Sequence, residues 1–349
     1  MFARRGTDAA LLPDSAGEAI TELPILVLNA HSRCNCRCVM CDIWKREEGV
    51  EVSAADLERH RYSLRKLAVR WVVLSGGEPL MHSGLRALCS FFRELDIHLT
   101  LLTTGLLLKK RAREVTDLFD DIIVSVDGPE AVHDGIRRIK GGFRLIESGI
   151  AAVRQFRPEM EIAGRTTVQK ANHRHLQETV VSAKALGLDS ISFLAADLTS
   201  EAFNRELVWP TERQSEIALS PDEIPGLEHE IEDLIFNFAE EVGSGYVAED
   251  EWKLRRIVSH FKAHLGVGGH ESPVCNAPWV SAVIEADGDV RPCFFHRVVG
   301  NIRKSTLEEV INGEVAQSFR RSLRVAENPT CQRCVCWLNY QGTDASTRA

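Results

Sequence analysis

Short apolar runs recur along the chain up to residue 200, and helical patterns separate them. The runs are rich in Val, Ile and Leu and do not alternate strictly with polar residues, which is the pattern of strands buried on both faces. They predict six strands, at residues 24–29, 71–75, 98–103, 121–126, 162–168 and 190–195. Strands that alternate with helices form a parallel sheet. We therefore predict an α/β fold whose sheet is open or curled into a partial barrel.

The pattern changes after residue 200. Proline breakers come first, followed by two amphipathic helices, near 227–242 and 251–264, and by a glycine-rich joint. Beyond the joint, two apolar runs flank Asp287-Gly288, a pair that favours a tight hairpin. The chain thus divides into an N-terminal tail over 1–23, a barrel over 24–200, an acidic helical connector over 201–269 and a small hairpin-plus-helix module over 270–349.

Composition narrows the classes of protein. The 349 residues are 44% hydrophobic and 26% charged, which is typical of a globular protein. No apolar run reaches the roughly 20 residues of a membrane-spanning helix, and acidic residues interrupt the segment after Arg4-Arg5 where an export signal needs an apolar stretch. We therefore expect a cytoplasmic protein with no membrane partner. In that reducing compartment, ten cysteines favour metal ligands or catalytic thiols over disulfides.

The net charge of −8 is unevenly distributed. Residues 221–251 contain eleven Asp and Glu and no Lys or Arg, and we interpret this run as a solvated helix face. The rest of the chain has no dense basic cluster interleaved with aromatic residues, so we do not expect nucleic acid as a partner.

Three cysteines follow the first predicted strand with the spacing C-x3-C-x2-C, namely Cys34, Cys38 and Cys41. A 4Fe–4S cluster usually takes four cysteine ligands, so three would leave one iron open for another ligand. A zinc knuckle is the alternative, although zinc sites more often combine two pairs of ligands. The spacing favours iron–sulfur chemistry, and we expect the intervening Cys36 to point away from the site.

Further motifs follow the predicted strands. They are Gly76-Gly77-Glu78-Pro79 after the second strand, Ser125 and Asp127 after the fourth, Arg137, and Gln169 within residues 166–172. Two glycines let the backbone approach a ligand closely. The carboxylate of Glu78 can accept a hydrogen bond from an ammonium group, and that of Asp127 can accept both hydroxyls of a ribose. If these motifs have no role in ligand binding, the segment with Glu78 is a tight turn and the segment with Asp127 is a capped loop.

With the three cysteines, these motifs make the chain resemble the radical S-adenosylmethionine (SAM) superfamily over residues 24–200. The resemblance implies a partial (β/α)6 TIM-type barrel, a 4Fe–4S cluster on the three cysteines and SAM on its open iron. It implies that the GGEP segment, residues 76–79, holds the amino group of SAM, and that the other residues named with it contact the rest of that molecule. It also implies a flavodoxin- or ferredoxin-type electron donor as a partner.

A second set of cysteines lies in the C-terminal module and consists of Cys275, Cys293, Cys331 and Cys334. Its spacing, with a Gly-x4-Cys hairpin that ends at Cys293, resembles the short "twitch" form of the SPASM domain, and the resemblance implies one auxiliary 4Fe–4S cluster. A zinc ribbon on the same thiolates is the alternative. Cys336 is expected not to be a ligand and is the candidate catalytic hydrogen donor, although an exchange with Cys334 stays open. Cys89 lies on the apolar face of a predicted helix and is assigned to the core.

The resemblance also implies a reaction. One electron cleaves SAM to methionine and a 5′-deoxyadenosyl radical, which takes a hydrogen atom from the substrate. We expect oxidation or epimerisation of a small molecule such as a sugar or an aminocyclitol, because residues 1–23 are too few for a leader-peptide-binding domain. The alternatives are a ribosomal-peptide maturase, which crosslinks or epimerises a peptide, and a non-enzymatic iron–sulfur or zinc protein. The sequence leaves the substrate and the oligomeric state open.

Overall fold

The computed structural model describes residues 19–203, 205 and 207–342. Residues 1–18 of the predicted tail lie outside this range, and its last residues pack on the fold. Leu23 is fully buried, and its backbone N–H donates to Leu67 O at 2.7 Å. The backbone of Ile20 exchanges two hydrogen bonds with the side chain of Asn312. Residues 20–23 therefore belong to the packed structure rather than to a free tail.

Nine strands form one sheet in the order β6-β5-β4-β3-β2-β1-β7-β8-β9. The strands are β1 (Ile25–His31), β2 (Trp71–Gly76), β3 (His98–Thr103), β4 (Asp121–Ser125), β5 (Glu161–Val168), β6 (Ser190–Ala195), β7 (Ser281–Ile284), β8 (Asp289–Arg291) and β9 (Gly300–Asn301). From β1 to β6, each strand pairs in parallel with the next along the chain. This arrangement confirms the predicted α/β fold with a partial (β/α)6 barrel.

Helices connect the strands and cover the sheet. They are α1 (Ala54–Glu58), α2 (Arg61–Lys66), α3 (Leu85–Arg93), α4 (Leu108–Leu118), α5 (Glu130–Arg137), α6 (Gly142–Phe156), α7 (Leu176–Ala185), α8 (Thr211–Ile217), α9 (Ile224–Asn237), α10 (Ala239–Ser244), α11 (Glu251–His264), α12 (Ala277–Val280), α13 (Leu307–Asn312), α14 (Glu314–Ser322) and α15 (Pro329–Gln332). In the described part of the chain, none of them is long and apolar enough to cross a membrane.

Local sequence explains several of these boundaries. Ser53 and Asp56 form a reciprocal capping box at the start of α1, in which each side chain accepts from the backbone N–H of the other residue. Cys89 is fully buried on the inner face of α3. The acidic helix predicted near 227–242 is interrupted at Phe238, where the backbone leaves the helical region and α9 gives way to α10.

The C-terminal module continues the barrel sheet. β7 pairs in parallel with β1, in the register Ile25↔Ser281 to Leu28↔Ile284, and β8 and β9 follow as antiparallel strands. The pairing places the hairpin at the side of the barrel that β1 would otherwise leave open. The sequence pattern changes near residue 270, but the strands before and after that residue belong to one sheet.

Candidate active site

A cavity of about 440 Å³ lies at the carboxyl ends of the barrel strands. Parallel strands place their carboxyl ends on one side of the sheet, which is where ligands bind in such folds. Cys34, Cys38 and Cys41 line one part of the cavity, and Cys336 of the C-terminal module lines another. Both cysteine-containing segments thus face the same space.

The first cysteine loop follows β1 and is held against the end of α5. The backbone N–H of Arg37 donates to Arg137 O at 3.2 Å, and that of Val39 donates to Ile136 O at 3.0 Å. The guanidinium of Arg137 also reaches Cys38 Sγ at 3.5 Å. A hydrogen bond from Cys36 and the charge of Arg137 lower the pKa of Cys38 to about 6, in spite of its burial. The lowered pKa of Cys38 therefore favours its thiolate form.

Cys36 does not point away from this loop, contrary to the expectation from the sequence. It is buried, and its thiol hydrogen-bonds to Cys34 and to Cys38, which raises its own pKa and lowers theirs. Because the loop is compact, the residue between two ligand positions is drawn inward with them. Cys36 is thus a thiol that stabilises its neighbours as thiolates.

The donor set fits an iron–sulfur cluster. The sulfur atoms of Cys34, Cys38 and Cys41 are three thiolate-type donors at one cavity wall, and Cys41 Sγ accepts a hydrogen bond from the Ile43 N–H at 3.4 Å. Hydrogen bonds to ligand sulfurs are a usual feature of protein-bound iron–sulfur clusters. Within residues 19–203, 205 and 207–342, no three His, Cys, Asp or Glu side chains are arranged to hold a single metal ion.

Gly76 and Gly77 bring the end of β2 against the first cysteine loop. Gly76 has a φ of +106°, which side-chain-bearing residues rarely adopt. A Cβ on Gly77 would lie 2.0 Å from the carbonyl oxygen of Arg33, next to Cys34. Backbone N–H groups of Gly77 and Glu78 donate to His31 O and Arg33 O, each at 2.8 Å. Both glycines line the cavity, so backbone rather than side chain forms this wall.

Glu78 and Pro79 are both buried, and neither lines the cavity. The Glu78 carboxylate accepts hydrogen bonds from the Leu80 N–H (2.9 Å), the Thr103 hydroxyl (2.8 Å), and the Thr104 N–H and hydroxyl (2.8 and 2.6 Å). Burial raises the pKa of Glu78, and these hydrogen bonds oppose the shift. The carboxylate therefore ties β2 to β3 behind the glycines, and the contact of these two residues with SAM stays a prediction.

Asp127 is held by protein partners in this structure, and its contact with a ribose stays a prediction. It is fully buried, with one carboxylate oxygen 2.5 Å from Arg137 Nε and the other accepting from the Thr167 N–H at 2.9 Å. Arg137 and Ser125 do line the cavity. Asp127 thus orients Arg137, because a buried guanidinium needs a charge partner in low dielectric.

Gln169 is almost fully buried behind the cavity wall. Its backbone N–H donates to Asn172 Oδ1 at 2.8 Å, and its Nε2 donates to Thr167 O at 3.4 Å. Its Oε1 has no hydrogen-bond partner among the described residues. A buried carbonyl oxygen without a partner costs free energy, so this atom is a candidate acceptor for an N–H of a ligand.

His133 gives this site a dependence on pH. It is buried at the start of α5, where its Nδ1 accepts from the Asp127 N–H at 3.2 Å, and burial lowers its pKa to about 4. The folded state favours the neutral ring, so its stabilising contribution is complete above pH 6.5 and is lost as the pH falls from 6.5 to 4. We expect this loss to be on the order of 3 kcal/mol.

The measurement is the free energy of unfolding at pH 7 and at pH 4.5. In His133→Asn the difference between the two values is expected to be smaller than in the parent chain. His229→Gln, which replaces an exposed histidine, is the control and keeps the full difference. An equal difference in all three proteins would contradict the assignment.

The second cysteine set converges in the C-terminal module. Burial, with the charges of neighbouring cysteines, raises the pKa of Cys293 and of Cys331 to about 12, and raises that of Cys334. Backbone N–H groups donate to these sulfurs: Phe295 and His296 to Cys293, and Cys336 to Cys334 at 3.3 Å. Buried thiols that influence one another electrostatically and accept N–H hydrogen bonds fit a second iron–sulfur cluster.

Cys336 differs from the four cysteines of the second set. It is exposed, whereas those four are partly buried, and Cys336 lines the cavity. Its backbone precedes Trp337, on which the guanidinium of Arg256 stacks at 3.7 Å. The structure thus places Cys336 between the second cysteine set and the space that the first set faces.

Sequence reasoning missed a strap formed by Arg205, Trp209 and Arg213. The Arg205 guanidinium lies 3.8 Å from the Trp209 ring, and Arg213 covers the same ring at 4.9 Å. Trp209 Nε1 donates to Asp42 Oδ2 at 2.7 Å, while Arg213 donates to Val39 O. The strap therefore contacts Val39 and Asp42, which lie on either side of Cys41 in the sequence. An Arg-x3-Trp-x3-Arg spacing on a segment broken by proline carries no recognisable signal in sequence.

Asp197, which follows β6, anchors the same strap. Its carboxylate pairs with Arg205 at 2.5 Å, and both side chains are almost fully buried at the cavity wall. Phe203, with a φ of +60°, packs on Phe294 and Phe295 just after Cys293. Asp197 thus forms an ion pair that connects the two cysteine loops.

Two family models match this chain. The radical SAM superfamily model matches residues 28–181, and the model of the SPASM iron-sulfur cluster-binding domain matches residues 275–335. The first range runs from the second half of β1 through β5 and contains the first cysteine loop, and the second contains the other cysteine set. The chain therefore contains a radical SAM domain. More narrowly, a SPASM domain follows that barrel domain, and the two together imply a 4Fe–4S cluster with SAM and auxiliary iron–sulfur binding.

Sequence relatives support the barrel. Pre-heme d1 synthase of Dinoroseobacter shibae is 28% identical over 173 residues, which are 48% of this chain and 42% of that protein. Fe-coproporphyrin III synthase of Methanosarcina barkeri is 27% identical over 182 residues, which are 50% of this chain and 44% of that protein. The chain thus spans less than half the length of these relatives.

Solved structures show the same fold. The anSMEcpe structure with bound AdoMet has a TM-score of 0.63 and 19% identity, and the alignment covers 89% of this chain and 83% of that one. Streptococcus suis SuiB bound to its precursor peptide SuiA has a TM-score of 0.60 and 16% identity, with 90% and 71% covered.

Proposed function

We propose that this enzyme removes hydrogen from a small, hydroxylated substrate, and that the net reaction is dehydrogenation of an alcohol carbon. When bound, the first cluster would supply the electron that cleaves SAM to methionine and the 5′-deoxyadenosyl radical, which takes one hydrogen atom from the substrate, and the second cluster would accept the electron that the substrate then loses together with a proton. The observation that carries the proposal is the cavity that Cys34, Cys38 and Cys41 line on one part of its wall and Cys336, which is close in sequence to the second cysteine set, lines on another. A substrate in that space lies between the site of hydrogen removal and an electron acceptor.

The residues of the chain bind and orient in this proposal. Gly76, Gly77, Ser125 and Arg137 line the cavity beside the first cysteine loop and are the proposed SAM contacts. Glu78 and Asp127 position these contacts from behind. Thiolates of Cys34, Cys38 and Cys41 hold the first cluster, and those of Cys275, Cys293, Cys331 and Cys334 hold the second.

The opposite wall favours a polar substrate. Glu285 pairs with Arg291 at 3.2 Å and accepts from Asn29 Nδ2 at 2.8 Å, and all three residues line the cavity. Asn29 Oδ1 is buried without a hydrogen-bond partner among the described residues. A substrate hydroxyl or amine that satisfied this acceptor would gain a hydrogen bond that the free protein lacks. Such a wall supports a sugar-like or aminocyclitol-like molecule.

Epimerisation is the second candidate, favoured by the position of Cys336. An exposed thiol at the cavity wall can return a hydrogen atom to a substrate radical from the face opposite the one from which hydrogen was taken. That reaction leaves the oxidation state of the substrate unchanged. It requires the sulfur-centred radical of Cys336 to be reduced by one electron and protonated before the next turnover.

The experiment uses the anaerobically reconstituted chain with SAM and dithionite. Panels of cyclitols, aminocyclitols and amino sugars are compared with unmodified synthetic peptides, and 5′-deoxyadenosine is measured in each. We expect stimulation by a member of the first panels and a product two mass units lighter. A product whose mass is unchanged in H2O and one unit higher in D2O, and that is lost in Cys336→Ala, would instead establish epimerisation. Stimulation by peptides alone would move the enzyme to peptide modification, and intact clusters without SAM cleavage would contradict the proposal.

A further inference from the structure

Arg256 of helix α11 packs against the C-terminal cysteine loop and is partly buried there. Its two terminal nitrogens donate to Cys334 O at 3.3 Å and to Val335 O at 3.4 Å. Its guanidinium stacks on the Trp337 ring at 3.7 Å. Trp252, one turn earlier on α11, tilts against the same ring at 5.8 Å. The connector helix thus holds residues 334–337 through one guanidinium and one pair of aromatic rings.

The guanidinium of Arg256 forms no salt bridge within the described part of the chain, and the carboxylates of Glu271 and Glu249 act on its charge only from a distance. A largely buried cation without a close charge partner is costly, so the fold is expected to supply an anion when the site is complete. Deprotonated cysteines that hold an iron–sulfur cluster constitute such an anion.

We propose that Arg256 is the charge partner and positioning residue of the auxiliary cluster, and that it raises the reduction potential of that cluster. The reason is electrostatic: reduction adds an electron, and a nearby positive charge stabilises the more negative state. Because burial weakens screening, this effect persists at physiological ionic strength. The proposal deepens the proposed function, since a higher potential makes the cluster a better acceptor for the electron of the substrate.

The test isolates the auxiliary cluster in the full-length chain. Cys34, Cys38 and Cys41 are replaced by Ala, so that only the C-terminal set can bind iron. In this background, Arg256→Gln removes the charge, whereas Arg256→Lys keeps the charge and loses the two-carbonyl contact and most of the stacking. Arg255→Gln changes the adjacent residue of α11, which is exposed and pairs with Glu232, and serves as the matched control. Circular dichroism establishes that each variant is folded.

Redox titration monitored by electron paramagnetic resonance gives the midpoint potential of each protein. We expect a more negative midpoint in Arg256→Gln, a nearly unchanged one in Arg256→Lys, and no shift in Arg255→Gln. A folded Arg256→Gln protein that loses iron while Arg256→Lys retains it also supports a charge partner. An unchanged midpoint with full iron in Arg256→Gln would overturn the proposal, as would equal shifts in the Gln and Lys variants.

A separate measurement distinguishes this proposal from the proposed function. The chain with all its cysteines is assayed for 5′-deoxyadenosine in parallel. If it cleaves SAM while the background with only the C-terminal set binds no iron, or binds zinc, the inference about Arg256 fails and the radical reaction stands. If neither iron binding nor SAM cleavage is found, both fail.

Discussion

A Cys38→Ser variant is expected to form no detectable 5′-deoxyadenosine. Cys38 is the buried member of the first set and the one whose pKa is lowered to about 6 by Cys36 and Arg137, so a serine hydroxyl cannot replace its thiolate. Loss of one of three ligands is expected to release the first cluster, and iron should fall from about 8 to about 4 atoms per chain. Chemical iron and sulfide analysis and chromatography of the SAM products check both effects.

Cys89→Ala is the control for this variant, because Cys89 is also buried but lies on α3 away from the cavity. It is expected to keep its iron and its SAM cleavage and to lose only a little stability. A Cys38→Ser protein that retained full iron and cleaved SAM would show that the cluster is held elsewhere.

Gly77→Ala is expected to damage both stability and catalysis. The new Cβ would lie 2.0 Å from Arg33 O and 2.5 Å from Arg33 C, and backbone cannot yield as a flexible side chain can. The cost of such overpacking is about 3 kcal/mol or more. Because Arg33 precedes Cys34, any relief moves the first cysteine loop, and a displacement of about 1 Å at a reacting centre lowers rates about 100-fold. Thermal unfolding and the rate of 5′-deoxyadenosine formation are the measurements.

Gly135→Ala provides the comparison for the glycine variant. Gly135 lies within α5, and no atom lies within 4 Å of the Cβ position, so alanine is expected to be neutral or to stabilise the helix by about 0.5–1 kcal/mol. If Gly77→Ala behaved like Gly135→Ala, the close approach of β2 to the cysteine loop would not constrain the site.

The sequence predicts the sheet closely because burial on both faces leaves uninterrupted apolar runs. The observed bounds of His98–Thr103 and Ser190–Ala195 coincide with the predicted ranges, and those of the other barrel strands differ by one or two residues. Helix α11 also has the predicted limits, since Asp250 caps its first turn through the Lys253 N–H. Short helices such as α14 and α15 were not predicted, because nine and four residues give too little periodicity to recognise.

The sequence predicts which residues belong to the site better than it predicts how their side chains are oriented. Spacing identifies Cys34, Cys38 and Cys41, and the structure brings them to one wall. Spacing does not show that the Glu78 carboxylate turns toward Thr103 and Thr104, because that choice depends on a neighbouring strand. Nor does it show the Arg205–Trp209–Arg213 strap, whose contacts join residues more than 160 positions apart.

The parallel pairing of β7 with β1 limits how the barrel and the C-terminal module can be separated or recombined with parts of other proteins. Residues 25–28 of β1 pair on one edge with residues 281–284, so a chain ending near residue 270 would expose an apolar edge strand there. Such a fragment is expected to aggregate rather than to survive as a smaller enzyme. A chimaera with a foreign C-terminal half would need a first strand matched to its new neighbour. The barrel and the C-terminal module are therefore expected to be inherited together, as one unit of selection.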